Sequence, residues 1–83
     1  MTGRRPANED PIPNRIAELR ERDGLSRVEL AQQVGVNPQT IGYLERGEYN
    51  PSLALAFRLA DLFGLPIEQI FVRHPADPIA QVL

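Results

Sequence analysis

The 83-residue sequence predicts an all-α domain of five short helices, and three observations predict it. Helix-starting and helix-stopping residues recur at close intervals between Asn14 and Phe71. No stretch alternates apolar and polar residues as a half-buried strand does. At one junction only Gly35, Val36 and Asn37 separate two helices. A turn that short, opening on glycine, makes the helices cross steeply instead of running antiparallel.

Residues 1–13 hold three prolines and mixed charges without apolar periodicity, the pattern of a flexible N-terminal arm. Helix 1 is expected from an Asn14 N-cap to Asp23, with Gly24 in the left-handed conformation behind it and Leu25 folding back on Leu19. Ser26 and Glu29 have capping-box spacing and open helix 2, with Leu25 and Leu30 as the staple. Helix 2 stops at Gly35. Asn37 caps helix 3, Pro38 takes its first position, Val36 and Ile41 staple it, and Gly47 stops it. Residues 48–51 form a loop. Ser52 is the expected N-cap of helix 4, with Asn50 before Pro51 as the alternative; Gly64 closes it after Phe63. A fifth helix is expected after Pro66, with Ile67 and Ile70 facing inward, then a brief extended segment at Phe71 and Val72. The expected domain covers residues 14–72, and residues 73–83 form a C-terminal tail.

A chain this short buries about 60–65% of its unfolded surface, so the core is thin. Composition removes several functions. There is no cysteine, hence no disulfide frame or thiolate metal site, and a single histidine, His74, builds neither a zinc site nor a catalytic triad. No glycine-rich phosphate loop is present. An enzyme is not expected, nor a cofactor, a metal or a small-molecule ligand. No apolar run reaches the roughly 18 residues that cross a bilayer, and the start has no secretory h-region, so a cytoplasmic protein without a membrane partner is expected.

The junction carries the functional reading. Ala31 lies one turn before Gly35, where a bulky residue would hold the helices apart. Leu30, Val34, Val36, Ile41 and Leu44 give the pair one apolar face. This is a helix-turn-helix, with residues 38–46 as the recognition helix. On that helix Ile41 and Leu44 point to the core, while Gln39, Tyr43 and Arg46, four and three residues apart, share the opposite face with Thr40 on its flank. Such a helix docks in the major groove by its N-terminal residues. Gln39 pairs bidentately with adenine, and Thr40 and Tyr43 complete the base-reading set. Phosphate contacts are expected from Arg27, Asn37, Arg46, Tyr49 and Asn50, with the arm residues Arg4 and Arg5 as candidates for a minor groove. Gly42 is costly in mid-helix, and its reading is close approach of the helix to DNA. Glu18, Glu21, Arg22, Arg58 and Asp61 read as solvated charges.

The segments RIAELRERDGLSRVELAQQVGV, NPQTIGYLERGEYNPSL and GLPIEQIF resemble the Xre/Cro family of bacterial and phage repressors over roughly two thirds of the chain. The resemblance implies a lambda-repressor-like domain of five helices, the second and third reading DNA, and a homodimer on a near-palindromic site. It also implies an ion pair between Arg20 and Glu45 joining helices 1 and 3. Family members usually carry a polar or charged residue where Pro38 and Gly42 stand here.

Helix 4 and its sequel hold more apolar residues than so small a core absorbs. A two-fold interface is therefore expected at Ile67, Ile70, Phe71 and Val72, extended by Ile79, Val82 and Leu83. Nine arginines and no lysine stand against eleven acids, a net charge of −2, which is unusual for a nucleic-acid binder and predicts a shallow salt dependence. The expected function is a transcriptional regulator of double-stranded DNA, by default a repressor. The alternative is a helix-turn-helix used as a protein-interaction module, an antitoxin or adaptor; burial of Gln39 and Tyr43 would favour it.

Overall fold

A computed structural model of the chain describes residues 11–73, which fold as α1 (Ile16–Arg22), α2 (Arg27–Val34), α3 (Pro38–Glu45) and α4 (Leu53–Phe63), followed by a 3-10 turn at Ile67–Gln69. Arg4, Arg5, His74, Ile79, Val82 and Leu83, to which the sequence reading gave roles, lie outside the described residues.

The starts of α2, α3 and α4 follow their capping chemistry. Ser26 Oγ accepts the Glu29 amide at 3.0 Å while the Glu29 carboxylate accepts the Ser26 amide at 2.8 Å. Asn37 Oδ1 accepts the Gln39 amide at 2.8 Å, and Ser52 Oγ accepts the Leu55 amide at 3.1 Å, so Ser52 and not Asn50 opens α4. Between α2 and α3, Gly35 takes φ +75°, where a Cβ is strained, and the Val36 amide returns to the Ala31 carbonyl at 3.0 Å. That closure turns the chain sharply enough to lay α3 across α2.

Three expectations are corrected. Asn14 is not the N-cap of α1, a place taken by Arg15. It clamps two helices instead: its Oδ1 accepts the Ile16 amide at 3.0 Å and its Nδ2 donates to the Leu44 carbonyl at 2.7 Å. The fifth helix is only a 3-10 turn, because the chain beyond it is held elsewhere. Ile70 O accepts the Arg15 amide at 2.8 Å and the Val72 amide donates to Pro13 O at 2.7 Å, around an isolated antiparallel bridge between Asn14 and Phe71. The expected extended segment is this bridge. The same bonds, with the Ile12 amide donating to Asn50 Oδ1 at 3.0 Å, tie the last residues of the expected free arm to the domain.

The core is built from all four helices and the turn: Ile16 and Leu19 from α1, Leu30 and Val34 from α2, Ile41 and Leu44 from α3, Leu55, Leu59 and Phe63 from α4, and Ile70. Ile70 is fully buried within the single chain, so it has no surface left for a partner, contrary to its expected place in a two-fold interface. Ile67 and Phe71 are half-buried, and Val72 is exposed. Arg22 and Arg58 are not merely solvated. Arg58 Nη1 donates to Val34 O at 3.0 Å and Arg22 Nη2 to Phe63 O at 3.2 Å, each satisfying the carbonyl of a helix's last residue.

Candidate nucleic-acid interface

The inner side of α3 is closed and the outer side is open. Ile41 and Leu44 are fully buried, whereas Gln39, Tyr43 and Arg46 are exposed and Thr40 is half-buried. Two shallow depressions mark the outer side and share Tyr43. One, of about 310 Å³, is lined by Arg27, Pro38, Gln39, Gly42, Tyr43 and Arg46. The other, of about 480 Å³, is lined by Thr40, Tyr43, Glu48 and Tyr49. The three expected base-reading residues therefore share one surface with Arg27, Arg46 and Tyr49.

Gly42 is buried within this face, and a Cβ placed there would stand 3.3 Å from Arg46 Nη1. The missing side chain thus makes room first for the Arg46 guanidinium, which lies over Gly42 with its central carbon 5.3 Å from the Tyr43 ring centroid, a cation–π distance.

Electrostatically, the face is organised by two carboxylates. Glu45, its side chain 4% exposed, accepts Arg20 Nε at 2.6 Å on one oxygen and Arg27 Nε at 2.9 Å on the other. Arg20 also donates from Nη1 to Leu25 O at 2.9 Å, so it fastens α1 to α3 and to the start of α2. Arg27 is held at the rim of the first depression by the same carboxylate. Its Nε is committed to Glu45, while more than half of the side chain stays exposed. Glu48 pairs with Arg46, and this hydrogen bond raises the arginine pKa above its ordinary value.

Asn37 and Asn50 stand apart from the two depressions. Asn37 spends Oδ1 on its cap, and Asn50 Oδ1 holds Ile12, a structural contact different from the helix cap that the sequence offered for Asn50. The Arg27–Glu45 and Arg46–Glu48 pairs were missed. The first joins residues 18 positions apart, and the second bridges the Gly47 turn, where helical i,i+4 spacing no longer applies. Among the described residues no group of His, Asp and Glu is placed to hold a metal ion, and no helix is long and apolar enough to cross a membrane.

Comparison with known proteins agrees with this geometry. A family model described as helix-turn-helix, HTH_3, matches residues 16–70. An uncharacterized HTH-type transcriptional regulator of Archaeoglobus fulgidus is 48% identical over 58 residues, covering 70% of this chain and 83% of its own. One from Methanothermobacter thermautotrophicus is 52% identical over 58 residues, covering 69% and 84%. Among solved structures, the restriction-modification controller protein C.AhdI from Aeromonas hydrophila superposes with a TM-score of 0.62 at 34% identity, covering 66% of this chain and 83% of its own. The buried inner side of α3, its open outer side and the match across α1 to the 3-10 turn place this chain in the HTH_3 family of helix-turn-helix transcriptional regulators.

Proposed function

We propose that the chain is a sequence-specific regulator of transcription that reads duplex DNA with α3, acting in the cytoplasm as a repressor and as a homodimer on an inverted repeat. The observation that carries this reading is the exposed row of Gln39, Tyr43 and Arg46 on a helix whose other side is sealed into the core. A helix presented this way enters the major groove N-terminus first, which puts Gln39 against base edges. Its amide pairs with adenine N6 and N7, Thr40 meets a thymine methyl, and Tyr43 packs on a sugar or methyl group. Arg27, Asn37, Arg46 and Tyr49 flank this row as phosphate contacts that set register. Asn50 joins them through its loop while Oδ1 holds Ile12. Exposure of Gln39 and Tyr43 supports the DNA reading, since their burial would have favoured the interaction-module alternative.

The homodimer is assigned to the half-buried Ile67 and Phe71 and the exposed Val72; two copies double the few phosphate contacts one copy makes. Repression follows by occupancy, since a DNA-binding domain blocks polymerase without further machinery. The test is selection of bound fragments from the host's genomic DNA by wild type and by a Gln39→Ala, Tyr43→Ala double variant at low and moderate salt. A short inverted repeat recovered by wild type and lost by the variant is the expected result. No enrichment by folded wild-type protein at low salt overturns the reading.

A further inference from the structure

Arg46 lies over the Tyr43 ring beside the proposed base-reading row, and it is already engaged. Its Nε donates to Glu48 Oε2 at 2.9 Å and its Nη2 to Glu48 Oε1 at 3.4 Å, a fork against a carboxylate with both side chains 54% exposed. The backbone holds Glu48 there: beyond the Gly47 turn its amide returns to Tyr43 O at 2.9 Å. The carboxylate consequently lies on the face itself, lining a depression with Thr40, Tyr43 and Tyr49. Glu45 makes the contrast clear. It is buried, and each of its oxygens accepts an arginine Nε, so it belongs to the scaffold. Glu48 is open to water and sits where a phosphate oxygen would have to sit in order to use the same guanidinium fork.

We propose that Glu48 is an intramolecular competitor of DNA phosphate, a positioning residue that acts through Arg46; this rests on the DNA reading of α3. Phosphate contact and the release of its counterions supply nearly all of the affinity for DNA of arbitrary sequence. A protein whose few groove-facing cations must first shed a carboxylate binds such DNA weakly, and is retained only where base contacts by Gln39 and Thr40 add to the phosphate contacts. The device suits a chain of net charge −2, in which no excess of cations could be neutralised in this way without consequence. An exposed ion pair of this kind weakens phosphate binding by about two- to fivefold. When displaced, Glu48 takes up a cation, which offsets part of the release from DNA and flattens the salt dependence.

The experiment titrates a short mixed-sequence DNA duplex with the full chain at rising salt, for wild type, Glu48→Gln, Arg46→Gln and the double variant, each first checked for an unchanged melting curve. Glu48→Gln is expected to bind about two- to fivefold more tightly. Its plot of log affinity against log salt is expected to steepen by up to about 0.9. On the Arg46→Gln background, Glu48→Gln is expected to give no gain. Equal binding by wild type and Glu48→Gln overturns the proposal, as does weaker binding, which would make Glu48 a base reader of the kind that accepts from cytosine N4. The same gain without Arg46 also overturns it, since simple repulsion of DNA then suffices. Binding by neither protein at the lowest salt overturns the competitor alone, because removing Glu48 then frees no phosphate contact; the DNA reading itself stands or falls with the genomic selection.

Discussion

Replacing Glu45 with alanine tests whether the carboxylate beneath α3 is part of the scaffold. The change leaves Arg20, whose side chain is 11% exposed, charged and with only a loose 3.9 Å pair to exposed Glu21, while Arg27, 56% exposed, is released to water. Breaking a buried pair from one side costs about 3–5 kcal/mol when the remaining charge is isolated. Arg20 keeps its bond to Leu25 O, the loose pair with Glu21 and a little solvent, so the expected loss is somewhat smaller, about 2–4 kcal/mol. Losing Arg27 alone, by Arg27→Ala, removes a largely exposed partner and costs about 0–1 kcal/mol. A chain of this length has roughly 4–12 kcal/mol in all, at about 0.05–0.15 per residue, so Glu45→Ala removes a large share of it. Thermal unfolding should show the midpoint fall by roughly 10–30 °C, at about 4–8 °C per kcal/mol for a domain of this size. Arg20→Met combined with Glu45→Leu should recover much of the loss, because the penalty comes from an orphaned charge and not from lost attraction. Equal stability of Glu45→Ala and Arg27→Ala would refute this reasoning.

Gly42→Ala should raise stability by about 0.5–1 kcal/mol in urea titration, since alanine is the better helix residue. Its Cβ, 3.3 Å from Arg46 Nη1, also shifts the guanidinium, so duplex affinity should drop even as stability rises; an unchanged affinity would show that the position of Arg46 is immaterial. Ile70→Ala should cost about 2–5 kcal/mol as a core truncation. Its unfolding curve should show that loss at every protein concentration, whereas an interface residue would show it only where dimers form. Val72→Asp, on an exposed side chain, should leave the melting of dilute protein unchanged and halve the mass seen by light scattering at high concentration. An unaltered mass would move the dimer elsewhere, with Leu53 and Phe57, one turn apart and exposed on α4, as the next surface to change.

Local chemistry made much of this protein legible before any coordinates. Ser26, Asn37 and Ser52 act on amides two or three residues away, and Gly35 accepts a backbone sign that other residues resist, so helix limits follow from neighbours in the chain. The division of α3 into a sealed side at Ile41 and Leu44 and an open side at Gln39 and Tyr43 follows from the helical repeat in the same way. Long-range bonds were beyond such reasoning. Ile70 was expected to face inward, but nothing near residue 66 announces that Arg15 and Pro13 will hold the backbone of Ile70 and Val72, cutting a fifth helix to one turn. Nor does the chain around Arg22, Arg27 or Arg58 reveal which carbonyl or carboxylate each will meet, because an arginine fork reaches whatever acceptor folding brings near. The sequence by itself therefore determined the helices and the face they offer. Tertiary structure decided which of its charges remain for a ligand, since a charge is satisfied by proximity in space, and proximity between distant residues exists only once the chain has folded.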